Sequence, residues 1–282
     1  MKLAPLTDAL GAEISDVVLT DLADISAIRR ALDRYGAVLI RGLELSPEAL
    51  ISFSRHFGAL DEAPVNEDGK TTVEGLPELY VVSNITGPDN KPIGSLGAGE
   101  ATWHTDMSYL GNPPDASMLY AVEVPDEGGD TWVCSMAAAL AEMPAYLRAA
   151  IDGRRIKHDG TYNSAGLLRQ GATPTDDPHA APGSWHPAIC RHPRTGAAVL
   201  YLGRRRNAYV EGLDVAASDD LLDRLWAFAT EARFTYAHRW TVGDLLMWDN
   251  RATLHRRDPF DPAARRLMHR TQIRGSKAPE VL

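Results

Sequence analysis

Short apolar runs separated by turn-forming residues dominate the chain, and few stretches keep helical spacing. Gly36-Ala37-Val38-Leu39-Ile40-Arg41-Gly42 is an apolar run closed by glycines, which predicts a short buried strand. Similar runs predict strands near 11–18, 79–82, 116–124, 131–134, 187–191, 197–202, 234–239, 243–248 and 267–274. Helical spacing over 24–35 puts Ile25, Ile28 and Leu32 on one side and Arg29, Arg30 and Asp33 on the other, with Gly36 as the stop. Ser46-Pro47-Glu48 opens a second helix that runs to 56–58, Ser46 acting as N-cap. A third helix is predicted over 137–151. A fourth, over 218–230, carries Leu221, Leu222, Leu225 and Phe228 and is capped by Ser218. Many short strands with few helices predict a mostly β chain with flanking helices, arranged as a sandwich or barrel.

Two stretches break this rhythm. Residues 61–100 are rich in Asp, Glu, Asn, Gly and Pro, and residues 160–184 in Gly, Pro, Asp and Ala. Both read as lids over a site. Neither has the composition of a linker and no repeat is visible. The expectation is therefore one domain, 1–282, with lid segments near 61–100 and 160–184.

Composition narrows the function classes. Among 282 residues, 29 Lys and Arg against 38 Asp and Glu give a net charge of −9, which argues against a nucleic-acid partner. Cys134 and Cys190 are the only cysteines, so neither a disulfide scaffold nor a cysteine-ligated zinc site is supported. No apolar run reaches the roughly 18 residues of a membrane span, and the first residues lack an apolar signal core. The chain is expected to be soluble and cytoplasmic. Three of its six tryptophans, Trp103, Trp185 and Trp248, lie beside a histidine or a polar cluster.

Chemistry enters at Trp103-His104-Thr105-Asp106. In an extended strand, residues two apart share a side, so His104 and Asp106 can present an imidazole and a carboxylate to one point. A second histidine would complete a 2-His-1-carboxylate face suited to non-haem Fe(II). His255, just past an apolar strand, is available for that role. Farther on, Arg266, Met268 and Arg270 share one face of an extended strand. Two guanidiniums aimed into one cavity make a double carboxylate receptor, because each presents a planar fork. Taken alone, each of these features has an ordinary structural alternative, a surface His–Asp pair or a salt-bridged basic strand. Their combination favours a site.

Taken together, these residues resemble the TauD/TfdA family of Fe(II)- and 2-oxoglutarate-dependent dioxygenases. The likeness rests on Trp-His-Thr-Asp at 103–106, Gly-Gly-Asp-Thr at 128–131, Trp-Asp-Asn-Arg at 248–251 and Arg-Arg-Leu-Met-His-Arg at 265–270. It extends to 10–14 and 37–42. The resemblance implies a double-stranded β-helix, or jelly-roll, core. It implies Fe(II) held by His104, Asp106 and His255, and 2-oxoglutarate held through Thr131 and Arg266. It implies that Arg270 meets an anionic group of the primary substrate, and that an oligomer, dimer or tetramer, is formed. The activity implied is hydroxylation of a small, anionic substrate by O2 with release of succinate and CO2, with cleavage of a carbon–heteroatom bond where the hydroxylated carbon bears one. The presence of the Asp106 carboxylate favours hydroxylation over halogenation. Two rivals remain open: a hydroxylase or desaturase of a natural-product or amino-acid intermediate, and a cupin-like binding protein without turnover.

The sequence also departs from the family pattern. Sulfonate-oxidising members carry an asparagine where Glu100 stands, and an aromatic loop where this chain has Arg204-Arg205-Arg206. Arginines in place of an aromatic wall imply a polar or anionic substrate other than taurine. Tyr109, Asn84 and His158 are further substrate-contact candidates. His56 reads as a helix cap, and His179, His192 and His238 read as loop or surface residues. Residues 251–274 hold seven Arg and two Asp, a local excess of +5 within an acidic chain.

Overall fold

The computed structural model describes residues 1–63, 73–88 and 90–282; residues 64–72 and 89 of the first predicted lid lie outside the described residues. Among the described residues, eight strands form a large sheet. Their order is Lys2–Pro5, Ala12–Ser15, Ala37–Ile40, Leu245–Asp249, Ala116–Glu123, Leu267–Ile273, Tyr80–Ser83, Ser95–Leu96. Pairing is antiparallel except for the second strand with the third and the seventh with the eighth. A smaller antiparallel sheet runs Thr235–His238, Thr131–Ser135, Thr253–Arg257, Ala101–His104.

The two-residue period of each strand decides what faces where. Val38 and Ile40, Met118 and Tyr120, Leu245 and Met247 turn outward, into an apolar cluster with the helices Leu22–Tyr35 and Pro47–Arg55. Ala37, Leu39, Leu119, Ala121, Leu246 and Trp248 turn inward, where they meet Val133 of the smaller sheet and Trp240. The outer face of the smaller sheet, through Cys134 and Leu254, packs on the helices Met136–Ala141, Ala145–Ile151 and Val215–Ala229. Strands covered on both faces read as continuous apolar runs rather than alternating ones. Two facing sheets with helices outside are the jelly-roll core that the resemblance implies.

Several elements differ from the sequence expectation for identifiable reasons. The helix expected over 137–151 is two helices, because Pro144 cannot continue the first. The helix expected from Ser218 starts a turn earlier, at Val215, with Asp214 accepting from the Ala217 N–H as cap. Ser218 is buried inside it and accepts from the Val210 N–H. The strand Thr253–Arg257 was not expected at all. Leu254 is its one aliphatic residue other than Thr, because its other face carries His255 and Arg257 towards the interior between the sheets. His192 and His238 are buried beside Asp249 and Asp244 rather than on the surface. Both cysteines are buried and free, and burial pushes each thiol up to about 12. Among the described residues, no helix is long and apolar enough to cross a membrane.

The helix–sheet seam at Leu254 sets the position of the strand that carries His255. Leu254→Ala is expected to cost about 2–5 kcal/mol in chemical denaturation. Val242→Ala, at a site 57% exposed, is expected to stay within about 0.5 kcal/mol.

Candidate active site

A cavity of about 740 Å³ opens between the two sheets. On its wall the antiparallel register sets His255 directly opposite His104, so the two rings lie 4.1 Å apart between centroids. The strand ends at His104, and Asp106 sits in the turn that follows, where Met107 adopts φ 45°. That turn brings Asp106 back beside the histidines. Its Oδ1 lies 3.7 Å from His104 Nε2 and 3.6 Å from His255 Nε2. The three ligand atoms fall within 4.8 Å of one another.

Each of the three groups is oriented from behind. His104 Nδ1 donates to the Thr102 carbonyl at 2.7 Å, which leaves Nε2 as the lone-pair nitrogen. The His255 ring packs on Trp248, with 4.6 Å between centroids. Asp106 Oδ2 accepts from Ser117 Oγ at 2.7 Å and is ion-paired with Arg270. Asn250 Nδ2 donates to the same Ser117 hydroxyl, and Asn250 Oδ1 accepts from Trp248 Nε1. The Asn250 carbonyl accepts from Thr105. One asparagine, in the turn between Leu245–Asp249 and Thr253–Arg257, thus ties the turn after His104 to the hydroxyl that holds the carboxylate.

Electrostatics keep the three groups in their ligating forms. Burial lowers His104 and His255 below the usual imidazole range, and for His255 the neighbouring His104 adds to the effect. Burial opposes ionisation of Asp106, but Arg270, His255 and His104 together outweigh it and hold the carboxyl well below its usual range.

Arg266 also lines the cavity. It is 1% exposed, and its Nε and Nη2 have no partner. Burial, then the charge of Arg257, push its guanidinium down to about 9. Gly128 and Gly129, at φ 76° and 71°, let the backbone pass close to Phe260 and the Arg266 side chain. Thr131, two residues on, lines the same space, and its Oγ1 accepts from Trp240 Nε1. That leaves its hydroxyl proton to donate elsewhere.

Of the residues singled out from sequence, His104, Asp106, His255, Thr131, Arg266, Arg270, Arg204 and Tyr109 all line this cavity. Glu100, Asn84 and His158 do not. Glu100 is exposed. The Asn84 side chain accepts from the Arg266 N–H and donates to the Pro262 and Ala264 carbonyls, so it fixes the loop that delivers Arg266. His158 is fully buried against His186 and Tyr201, beneath Gly203, where any side chain would collide with it. It supports the backbone through which Gly203 accepts from the Thr105 N–H and Arg204 pairs with His104. Sequence reasoning missed Ser117, Asn250, Arg257 and Arg169. The last two line the cavity, and the first two form the hydrogen-bond chain that ends on the Asp106 carboxylate.

Asp249 anchors the turn from below. It takes a two-point contact from Arg251 and a bond from His192. Burial opposes its charge, yet Arg251 and His192 hold the carboxyl far below the ordinary 3.8. A depressed carboxyl contributes stability that is present above its unfolded value and lost as pH falls towards the folded one. Asp249→Asn is expected to cost about 3–5 kcal/mol. In denaturation series that difference is expected to be constant from about pH 7 to 5 and to shrink below about pH 4.

Three comparisons bear on this site. The sequence profile described as "Taurine catabolism dioxygenase TauD, TfdA family" matches residues 2–272. A 2-oxoglutarate-dependent 2,4-dichlorophenoxyacetate dioxygenase of Cupriavidus pinatubonensis is 34% identical over 276 residues, 94% of this chain and 95% of that protein. A pentalenolactone F synthase of Streptomyces avermitilis is 32% identical, over 92% of this chain and 88% of that one. A solved structure of a taurine dioxygenase from Burkholderia xenovorans matches with a TM-score of 0.78 at 32% identity, over 98% of this chain and 91% of that one.

Proposed function

Because the chain belongs to the TauD, TfdA family, we propose that it is an Fe(II)- and 2-oxoglutarate-dependent dioxygenase that hydroxylates a small organic anion. His104, Asp106 and His255 offer two neutral imidazoles and a carboxylate at one point. That donor set fits Fe(II) and leaves coordination positions open. The observation that carries the co-substrate half is Arg266, a buried guanidinium with two unpartnered nitrogens. Such a charge is costly out of water without an anion beside it, and a carboxylate matches its fork.

When bound, Fe(II) and 2-oxoglutarate supply the oxidation: O2 is consumed, succinate and CO2 are released, and one oxygen atom enters a C–H bond of the substrate. The chain's own residues bind and orient. Arg266 and the Thr131 hydroxyl would hold the distal carboxylate of 2-oxoglutarate. Arg270 and Ser117 occupy Asp106 Oδ2, so that Oδ1 is presented beside the two imidazoles. Trp248, Leu119 and Val82 give the cavity an apolar wall that excludes water. Where hydroxylation falls on a carbon bonded to oxygen, sulfur or nitrogen, the product collapses and that bond breaks.

Charge supports an anionic substrate. Arg169, Arg204, Arg256, Arg257, Arg266 and Arg270 line the cavity, against Glu62 and Asp106. The Cupriavidus relative acts on an aryloxyacetate, which is such an anion. The Streptomyces relative supports a second reading, oxidation or desaturation of a natural-product intermediate. Product mass spectrometry separates the two.

The test is a panel of carboxylates, sulfonates, sulfate esters and aryloxyacetates, read as succinate released under air. At least one acid is expected to drive release, and none would favour a binding protein. With that acid, Arg266→Ala is expected to raise the 2-oxoglutarate KM on the order of 30-fold or more while Fe(II) affinity changes less than about twofold. An unchanged KM would overturn the assignment of Arg266.

A further inference from the structure

We propose that Arg204 and Arg169 together form the receptor for the acid group of the primary substrate, and that this substrate is a monoanion with an apolar body. The inference rests on the dioxygenase reading above and names the substrate class of that same site.

The six cavity arginines are not equivalent, and Arg256 among them is ion-paired with Asp258. Arg266 lies beside Thr131 and is taken by 2-oxoglutarate. Arg270 is ion-paired with Asp106. Arg257 donates to the Gly99 carbonyl. Arg204 is 6% exposed and bonds through Nη1 to the Tyr162 carbonyl, while its Nε is buried without a partner. Among the described residues, no carboxylate lies within ion-pairing distance of it. The carboxylates that act on it from farther away are Asp106, whose Oδ2 is taken by Ser117 and Arg270, and then Asp159, whose oxygens accept from the Thr161 N–H and from Asn207. Arg169 shows the same deficit. Its guanidinium lies 4.3 Å over the Tyr109 ring, its Nε is buried without a partner, and no described carboxylate pairs with it.

The two cations face each other's field. Burial, and after it the charge of Arg169, lower Arg204 to about 10. Two guanidiniums on one cavity wall, neither with a carboxylate partner, are relieved by one shared anion. The arginines next in sequence show what relief looks like elsewhere. Arg205 is neutralised by Asp219 and Asp223, and Arg206 by Asp176 with the Tyr162 ring beneath it. Of the three consecutive arginines, Arg204 is the one that lines the cavity.

The rest of the substrate is read from the same wall. Leu167 and Leu168 line the cavity beside Arg169 although they are 60% and 44% exposed. With Tyr109 they offer apolar surface next to the cationic pair, and exposed apolar surface at a cavity marks a binding face. An acid group against the arginines and an apolar body against Tyr109, Leu167 and Leu168 satisfy both halves.

The test is calorimetric titration of the full chain, loaded anaerobically with Fe(II) and 2-oxoglutarate so that the Arg266 site is filled and no turnover occurs. The probes are 2,4-dichlorophenoxyacetate, its uncharged amide, and hexanoate. The wild type is expected to bind the acids roughly 10-fold or more tightly than the amide. Arg169→Gln and Arg204→Gln are each expected to remove most of that preference, and Arg206→Gln to leave it intact. A thermal melt accompanies each variant, and half-buried Arg169 carries the test should Arg204→Gln not fold. An acid preference that survives both substitutions, an equal loss in Arg206→Gln, or a wild type that binds neither acid would overturn the proposal. Absence of succinate release across the substrate panel would instead count against the dioxygenase reading, because the calorimetric result needs no turnover.

Discussion

Asp106 lies almost wholly out of water between two imidazoles and a guanidinium, and the surrounding structure is arranged to make that tolerable. Burying a carboxylate costs several kcal/mol unless its oxygens are paired and hydrogen-bonded. Here one oxygen is taken by Ser117 and Arg270, and the other is left facing His104 and His255. The asymmetry gives the site its direction, because one edge of the carboxylate is occupied by protein and the other is open to a cation. Ser117 comes from the large sheet, His104 and His255 from the small one, and Arg270 from the neighbour of the Ser117 strand. The site therefore exists only when both sheets are formed and in register.

The same logic extends outward through Asn250 and Asp249. Asn250 joins Ser117, Trp248 and Thr105, so the turn between two strands also sets the carboxylate and the ring behind His255. Asp249 holds that turn through Arg251 and His192. The Trp-Asp-Asn-Arg stretch is thus a scaffold for the metal-facing groups, and none of its four residues belongs to the triad itself. Charge is partitioned in a comparable way. The chain is acidic overall, yet its cavity is lined by six arginines against two carboxylates, and buried Arg266 keeps two guanidinium nitrogens without a partner.

Much of this was legible in the sequence. The apolar runs marked the buried strands because both faces of each sheet are covered. Spacing brought His104 and Asp106 together, although the geometry comes from a turn rather than a continuous strand. Arg266 and Arg270 share the cavity as their positions on one strand face imply, though their circumstances differ: Arg266 has two nitrogens without a partner, and Arg270 is ion-paired with Asp106. Other features were not legible. Thr253–Arg257 lacks a strand signature because its inner face serves the site, not the core. His158 looked like a lid residue because nothing local announces that Gly203 will close over it. Ser117 sits inside an apolar strand, and only the pairing of Ala116–Glu123 with Leu267–Ile273 brings it near Arg270. Long-range pairing of this kind leaves no trace in local spacing.

The central claim is that one buried carboxylate and two neutral imidazoles hold Fe(II) while the cavity holds a 2-oxo acid beside it. Anaerobic titration of the purified chain with Fe(II) and 2-oxoglutarate, followed by visible absorption, tests it most directly. The account predicts a weak metal-to-ligand charge-transfer band that saturates at one equivalent of each per chain and is absent in Asp106→Ala. No band in the wild type, or a band of equal strength in Asp106→Ala, would contradict it.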